Sequence, residues 1–182
     1  VIGAGMAGLT AAIEAAEQGA EVLLLEKNLV YSSSTTRSLG FIVGADTETQ
    51  KANDIEDSEE AFYQDIVSLY EGEEQLDLNL IHKMAFDSSE LNTRLSDHGL
   101  EFTNVINKST KGERAVKRIH TTASGSEVTS TLVEAAEKAG VKILMGTPAT
   151  SLIQENDGSI SGALATNGNG DSITIHAQST IV

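Results

Sequence analysis

The chain has 182 residues, 40% hydrophobic and 21% charged, with no Cys, no Trp and a single Pro at position 148. Twelve Lys and Arg against 27 Asp and Glu leave a formal charge of −15, which disfavours nucleic acid and anionic membrane surfaces, since both need clustered cations. Without cysteine there is no disulfide, thiolate metal site or cysteine nucleophile, and no apolar run approaches the roughly 20 residues of a membrane span. The length suits one well-buried domain, or a domain with a small subdomain. No basic-then-apolar leader is visible, which makes a cytoplasmic location the expectation, although a chain that opens inside a motif can have lost one.

Val1 and Ile2 read as the end of a buried strand. From Met6 to Gln18 the apolar residues Leu9, Ala12, Ile13 and Ala16 fall at helical spacing. Gly19 and Ala20 close that helix, and Glu21 to Lys27 (EVLLLEK) is a short apolar run, a second buried strand. The result is a βαβ unit with glycines at Gly3, Gly5 and Gly8 in its first turn. Gly3 suits a tight exit from the strand. Gly5 lets a pyrophosphate approach bare backbone, and Gly8 lets the helix pack closely on the strand. With Ala7, these residues form a phosphate cradle at a helix N-terminus, where N–H groups and the positive end of the dipole favour anions. Glu26 stands at the end of the second strand, placed to accept hydrogen bonds from an adenosine ribose and to repel a 2′-phosphate, so NADP is not expected. The bland alternative is a tight βα turn with a solvent-facing Glu.

Residues 28–50 are rich in Ser, Thr and Gly and read as an extended loop along a ligand. Here the sequence resembles the flavoprotein subunits of fumarate reductase and succinate dehydrogenase, with their relatives urocanate reductase, L-aspartate oxidase and the 3-ketosteroid dehydrogenases. In that family the second strand ends in Glu-Lys, matched by Glu26-Lys27, and a small-residue loop wraps the flavin. The resemblance places Ser34 and Thr35 where hydroxyls contact FAD, and Ser38, Leu39 and Gly40 beside the isoalloxazine. Ser32-Ser33 and Phe41 depart from the family's glycine pairs. No His lies between Ser32 and Gly40, so the implied FAD is non-covalent.

Further along, residues 58–70 and 78–98 read as two helices, with Ser58 as a candidate N-cap and an apolar stripe of Leu80, Ile81, Met84, Leu91 and Leu95 on the second. The acidic block from Asp46 to Asp77 reads as a solvated helical face. A calcium loop is the functional alternative, but ligand spacing and the expected glycine are missing. His82 and His98 read as surface or helix-end residues, and no metal is expected. Lys111, Arg114, Lys117 and Arg118 make a locally basic stretch before a helix from about Glu127, with Leu132, Val133, Ala136 and Ala139 inward. His120 invites a catalytic reading, but a positioning role is favoured, because the family's substrate His lies later in its chain.

Residues 141–145 read as a strand, followed by a three-stranded meander with turns at Asn-Asp-Gly and Asn-Gly-Asn-Gly-Asp. His176, on a meander strand, reads as structural. The resemblance puts the backbone of Ala149, in the turn after that strand, against the adenine, and makes residues 179–182 the start of a further strand. The expected fold is α/β: a Rossmann-like FAD-binding domain of glutathione-reductase type, with a parallel sheet and a β-meander, incomplete at both ends. It spans residues 1–182, with a helical segment of about 55–100 inserted. The implied function is the FAD-binding part of an oxidoreductase that passes hydride between flavin and a dicarboxylate-like substrate. The alternatives are an FAD domain acting on L-aspartate, urocanate or a ketosteroid, or a fragment without activity. No catalytic residue is assigned, the substrate is expected to bind through other parts of the chain, and no nucleic-acid partner or membrane insertion is expected. The electron donor is left open.

Overall fold

Residues 1–70, 76–106 and 116–182 are described by a computed structural model, and they divide into one unit of Val1–Ser38 with Val128–Val182 and another of Leu39–Glu127. Among the described residues the fold is mixed α/β, with one parallel and two antiparallel sheets.

In the first unit, helix α1 (Met6–Glu17) and strand β1 (Leu23–Leu25) follow the expected βαβ order. Leu9, Ala12 and Ile13 make the buried face of α1, each larger side chain contributing about 1.5–3 kcal/mol by burial. The helix stops because Gly19 adopts φ +91°, letting its N–H reach Ala16 O and the Ala20 N–H reach Ala15 O, a Schellman closure. Strand β5 (Lys142–Leu144) pairs in parallel with β1, Leu24 opposite Ile143. On the other side of β1, Ile2 bridges Leu25 in parallel, and the Ile2 N–H donates to Ile181 O at 2.9 Å. Val1-Ile2 thus sits beside β1 as expected, whereas the strand expected at 179–182 does not form: these residues meet Ile2 through that single hydrogen bond. Strands β6 (Ala149–Gln154), β7 (Ile160–Thr166) and β8 (Ser172–His176) form the antiparallel meander, with both predicted turns in place.

Helix α7 (Gly125–Lys138) begins two residues before the expected start, and only its first three residues belong to the second unit. The Ser124 hydroxyl accepts from the Glu127 N–H at 3.1 Å, and the Glu127 carboxylate accepts from the Ala123 N–H at 2.7 Å. These reciprocal bonds satisfy donors at the helix start. Val128, Thr129, Leu132, Ala135 and Ala136 form its buried face.

The second unit departs from expectation in three places. The stretch read as one loop contains helix α2 (Ser34–Arg37, in the first unit), strand β2 (Phe41–Val43) and helix α3 (Glu48–Lys51). The helices exist because Ser33 and Thr47 act as N-caps, Thr47 within a full capping box with Gln50. Strand β2 pairs with β4 (Ile119–Thr121), which also pairs with β3 (Asn104–Ile106) in an antiparallel sheet of order β2-β4-β3. The helix expected over 58–70 is α4 (Glu59–Leu69), and the Ser58 hydroxyl caps it by accepting from Ala61 N–H at 3.1 Å.

The helix expected over 78–98 is instead two, α5 (Leu78–Phe86) and α6 (Ser88–Asp97). The Ser88 hydroxyl donates to Ala85 O and accepts from Ala45 N–H, so it anchors the break to the chain before α3. The apolar stripe is broken as well: Leu95 is buried while Leu80 and Met84 are 64% and 52% exposed. His82 is exposed and stacks on Phe86, and His98 caps the end of α6.

Lys111 and Arg114 lie outside the described residues. Arg118 is no surface cation: it binds Asp57 through two hydrogen bonds of 2.7 Å each, reaches Asp65 at 2.5 Å and lies over the Phe62 ring.

Candidate functional site

The first βα turn is built by close approach. Gly3 has φ +101°, and a Cβ on Gly8 would stand 1.9 Å from Gly3 O, so α1 rests against the turn with no room for a side chain. Gly5 is different. Its backbone is extended, at φ −78° and ψ 175°, and an added Cβ would meet only Ser33 Cβ at 3.8 Å and Thr35 Oγ1 at 4.0 Å. The protein's own atoms therefore do not demand a glycine there.

Gly5 stands at the N-terminus of α1. The helix ladder begins with Leu9 N–H donating to Gly5 O, so the N–H groups of Met6, Ala7 and Gly8 are unused by the helix. The Met6 N–H donates to Thr35 Oγ1 at 3.0 Å, while Ala7 is exposed and Gly8 partly so. No acidic residue occupies the first turn of α1 and its N-cap, Gly5, has no side chain to cap it, so its positive dipole end is not neutralised from within the helix.

Glu26 closes the other side of the turn. It is 7% exposed. Its Oε2 accepts from the Ala4 N–H at 3.0 Å, and its Oε1 accepts from the Asn28 N–H at 2.9 Å and Asn28 Nδ2 at 2.8 Å. A carboxylate has about four acceptor positions, so one on Oε2 remains for an outside hydroxyl. Asn28, which sequence reasoning passed over, orients this carboxylate, and a polar residue two positions after a strand-end Glu was the available signal. Burial, then the negative charges of Glu137 and Glu26, raise the Tyr31 phenol above the ordinary value.

The structure brings Gly3, Gly5, Ala7, Gly8, Glu26 and Thr35 together around one turn. Lys27 and Ser34 are exposed nearby in sequence, and the Ser38 hydroxyl donates to Thr35 O at 2.8 Å. Ala149 does not lie in the turn after β5 but opens β6, opposite Ala165. The turn itself is tied to the Glu26 strand end through Gly146 N–H to Asn28 O and Thr147 N–H to Glu26 O. Leu39 and Gly40 belong to the second unit. Leu39 is 64% exposed, and Gly40, at φ +72°, would put a Cβ 2.2 Å from Thr122 Oγ1, so its glycine is required by packing within that unit.

His120 is fully buried. Its Nδ1 faces the carbonyls of Arg118 at 3.0 Å and Ile42 at 3.2 Å, and its Nε2 lies 2.7 Å from Thr47 Oγ1. Two carbonyls at Nδ1 require the proton there, leaving Nε2 to accept from the Thr47 hydroxyl. Burial lowers its pKa. The ring joins strands and has no path to a reactant.

A cleft of about 760 Å³ also opens in the first unit, lined by Ile2, Gly19, Val22, Ile175 and Thr180 among others. It lies at the C-terminal end of α1, away from Gly5 and Glu26, where the dipole disfavours phosphate. Among the described residues no helix is long and apolar enough to cross a membrane, and no cluster of three or more His, Asp or Glu could hold a metal ion.

The donor set fits a dinucleotide: bare backbone over a helix N-terminus for the pyrophosphate, and a buried, oriented carboxylate for a ribose. The FAD binding domain family model matches residues 1–182. NADH:fumarate oxidoreductase of Klebsiella pneumoniae is 29% identical over all of this chain and 20% of its own length. The open conformation of a flavocytochrome c3 fumarate reductase superposes with a TM-score of 0.88 at 27% identity, covering 98% of this chain and 31% of that one. A 3-ketosteroid-Δ4-(5α)-dehydrogenase from Rhodococcus jostii RHA1 does so with a TM-score of 0.84 at 26% identity, covering 97% and 43%. The chain thus spans less than a third of the fumarate-reducing relatives it matches. It belongs to the FAD binding domain family and takes FAD as its cofactor.

Proposed function

We propose that this chain holds the FAD of a reductase acting on a small unsaturated carboxylate, with fumarate as the first substrate to test. The observation that carries the binding half is Gly5, whose missing side chain the protein's own packing does not require. In this reading Gly3, Gly5, Ala7 and Gly8 cradle the pyrophosphate, Thr35 adds a hydroxyl, and the remaining acceptor on Glu26 takes the ribose. Lys27 and Ser34 flank the phosphates. Ser38, Leu39 and Gly40 accompany the flavin ring, which is held without a covalent bond, and the backbone at Ala149 meets the adenine. Residues of about 55–100 form an insertion in this FAD domain. When bound, FAD supplies two-electron hydride chemistry, while the residues named here bind and orient it. No catalytic residue is proposed within residues 1–182.

The fumarate half rests on the relatives named for that activity. The likeness to a ketosteroid dehydrogenase supports a second reading, in which the same FAD domain serves a steroid. The test is anaerobic: the whole flavoprotein is loaded with FAD, one sample is reduced chemically and mixed with fumarate, and another is left oxidised and mixed with a saturated 3-ketosteroid. Reappearance of the oxidised flavin band with fumarate, without bleaching by the steroid, supports the first reading, and bleaching by the steroid alone replaces it with the second. Absence of both changes overturns both substrate assignments.

A further inference from the structure

We propose that Thr129 is a positioning residue for the phosphate cradle: it fixes, through Thr36, the short helix that sets the Thr35 hydroxyl on the N-terminus of α1. The inference rests on the FAD reading for its consequence, but its geometry stands apart from it.

Helix α2 has four residues and none of them is buried. A single turn of that kind is far below the length at which a helix persists alone, and it has little apolar packing to locate it. What locates it is polar. Ser33 Oγ accepts from the Thr36 N–H at 3.3 Å and shares a hydrogen bond with Thr36 Oγ1 at 3.2 Å. Thr36 Oγ1 in turn shares one with Thr129 Oγ1 at 3.1 Å. Thr129 is 3% exposed on α7, flanked by Val128 and Leu132 at 1% each, so it belongs to a tightly packed surface. Its β-branched side chain has restricted χ1 freedom in a helix. The three hydroxyls therefore join a marginal turn to a rigid helix.

The residue between Ser33 and Thr36 in this turn that matters is Thr35. Its Oγ1 accepts the Met6 N–H at 3.0 Å and is one of two atoms within 4.0 Å of the Cβ position of Gly5. Because Oγ1 accepts from Met6, its own proton is oriented away from that N–H and can be donated to an anion over Gly5. Displacing α2 by even a fraction of an ångström lengthens both bonds. Thr129, which lies 93 residues after Thr36 and touches neither Met6 nor Gly5 among the contacts described, thereby sets how well the cradle is formed before ligand arrives, and pre-formed sites bind more tightly.

The experiment compares Thr129→Val, Thr129→Ser and Thr36→Ala in the 182-residue chain by two readouts. One is solvent exchange of the Met6 amide measured by NMR without ligand. The other is the FAD dissociation constant from quenching of flavin fluorescence. Loss of one hydrogen bond in this chain should speed Met6 exchange and weaken FAD each by about fivefold in Thr129→Val. Thr129→Ser keeps the hydroxyl and should return both to within about twofold of wild type. Thr36→Ala alters a half-buried position and should reproduce the Val effect if Thr129→Val fails to fold. Unchanged Met6 exchange in both Thr129→Val and Thr36→Ala overturns the proposal, as does a Thr129→Ser variant that behaves like Val. Failure of the wild-type chain to bind FAD would fall on the functional reading, and Met6 exchange would still decide this one.

Discussion

Gly5→Ala separates a ligand's demand for space from the protein's own. Gly5 has φ −78° and ψ 175°, open to any residue, and the new Cβ stands at ordinary contact distance, 3.8 and 4.0 Å, from Ser33 Cβ and Thr35 Oγ1. No protein atom has to move. Two small effects act on the ligand-free protein. Restricting the unfolded chain stabilises by about 0.4–1 kcal/mol, and Ala is a poorer N-cap than Gly by a similar ~0.5–1 kcal/mol. These cancel to within about 0.5 kcal/mol, a shift in melting midpoint of no more than about 2 °C. With FAD the methyl stands where the pyrophosphate approaches the first turn of α1. Losing one hydrogen bond to a charged group costs about 1.5–3 kcal/mol, a fall in affinity of roughly 10- to 150-fold. Thermal melts without ligand and a fluorescence titration with FAD measure the two halves separately. Wild-type affinity in Gly5→Ala refutes the reasoning, because the phosphates would then pass elsewhere.

Gly8→Ala should do the opposite: with backbone Gly3 O 1.9 Å from the new Cβ, α1 must lift off the turn, at about 3 kcal/mol or more, and the ligand-free melt should fall markedly. Asp57→Ala leaves Arg118, only 9% exposed, without its two-bond partner, and denaturant unfolding should show a loss of ~3–5 kcal/mol. His120 has a pKa lowered from 6.5 by burial. The unfolded chain therefore binds more protons than the folded one below that value, so stability is complete above about pH 6.5 and declines as pH falls through it. Denaturant midpoints between pH 7.5 and 5.5 together with NMR titration of the ring check this, and a His120 that titrates at or above 6.5 contradicts it.

The βαβ turn was legible because every residue in it answers to a local rule. Gly3 supplies positive φ, Gly8 a close contact, Gly19 a helix stop, and Glu26 ends an apolar run. The meander was legible from its two glycine-bearing turns. The second unit was legible only in α4 and its Ser58 cap, which follow local rules; the rest takes its order from partners far apart in the chain. Strand β2 is three residues long and pairs with β4 across about 80 residues, and nothing in FIV alone distinguishes a strand from a loop. Arg118 read only as part of a locally basic stretch because its partners Asp57 and Asp65 lie 61 and 53 residues away. The break between α5 and α6 turns on the Ser88 hydroxyl bonding to Ala45, 43 residues distant. In the candidate site the glycines and Glu26 could be named from spacing, and Asn28 from its place two residues after Glu26, whereas the Thr36–Thr129 link, 93 residues apart, required the fold to bring it in.

The central claim is that the glycine turn and Glu26 select and hold FAD. The most direct measurement is a pair of titrations of the ligand-free chain, one with FAD and one with NADP, each followed by gel filtration. The account predicts that FAD stays with the protein while NADP, whose 2′-phosphate meets the Glu26 carboxylate, passes through. FAD that is not retained, or NADP retained equally well, would contradict it.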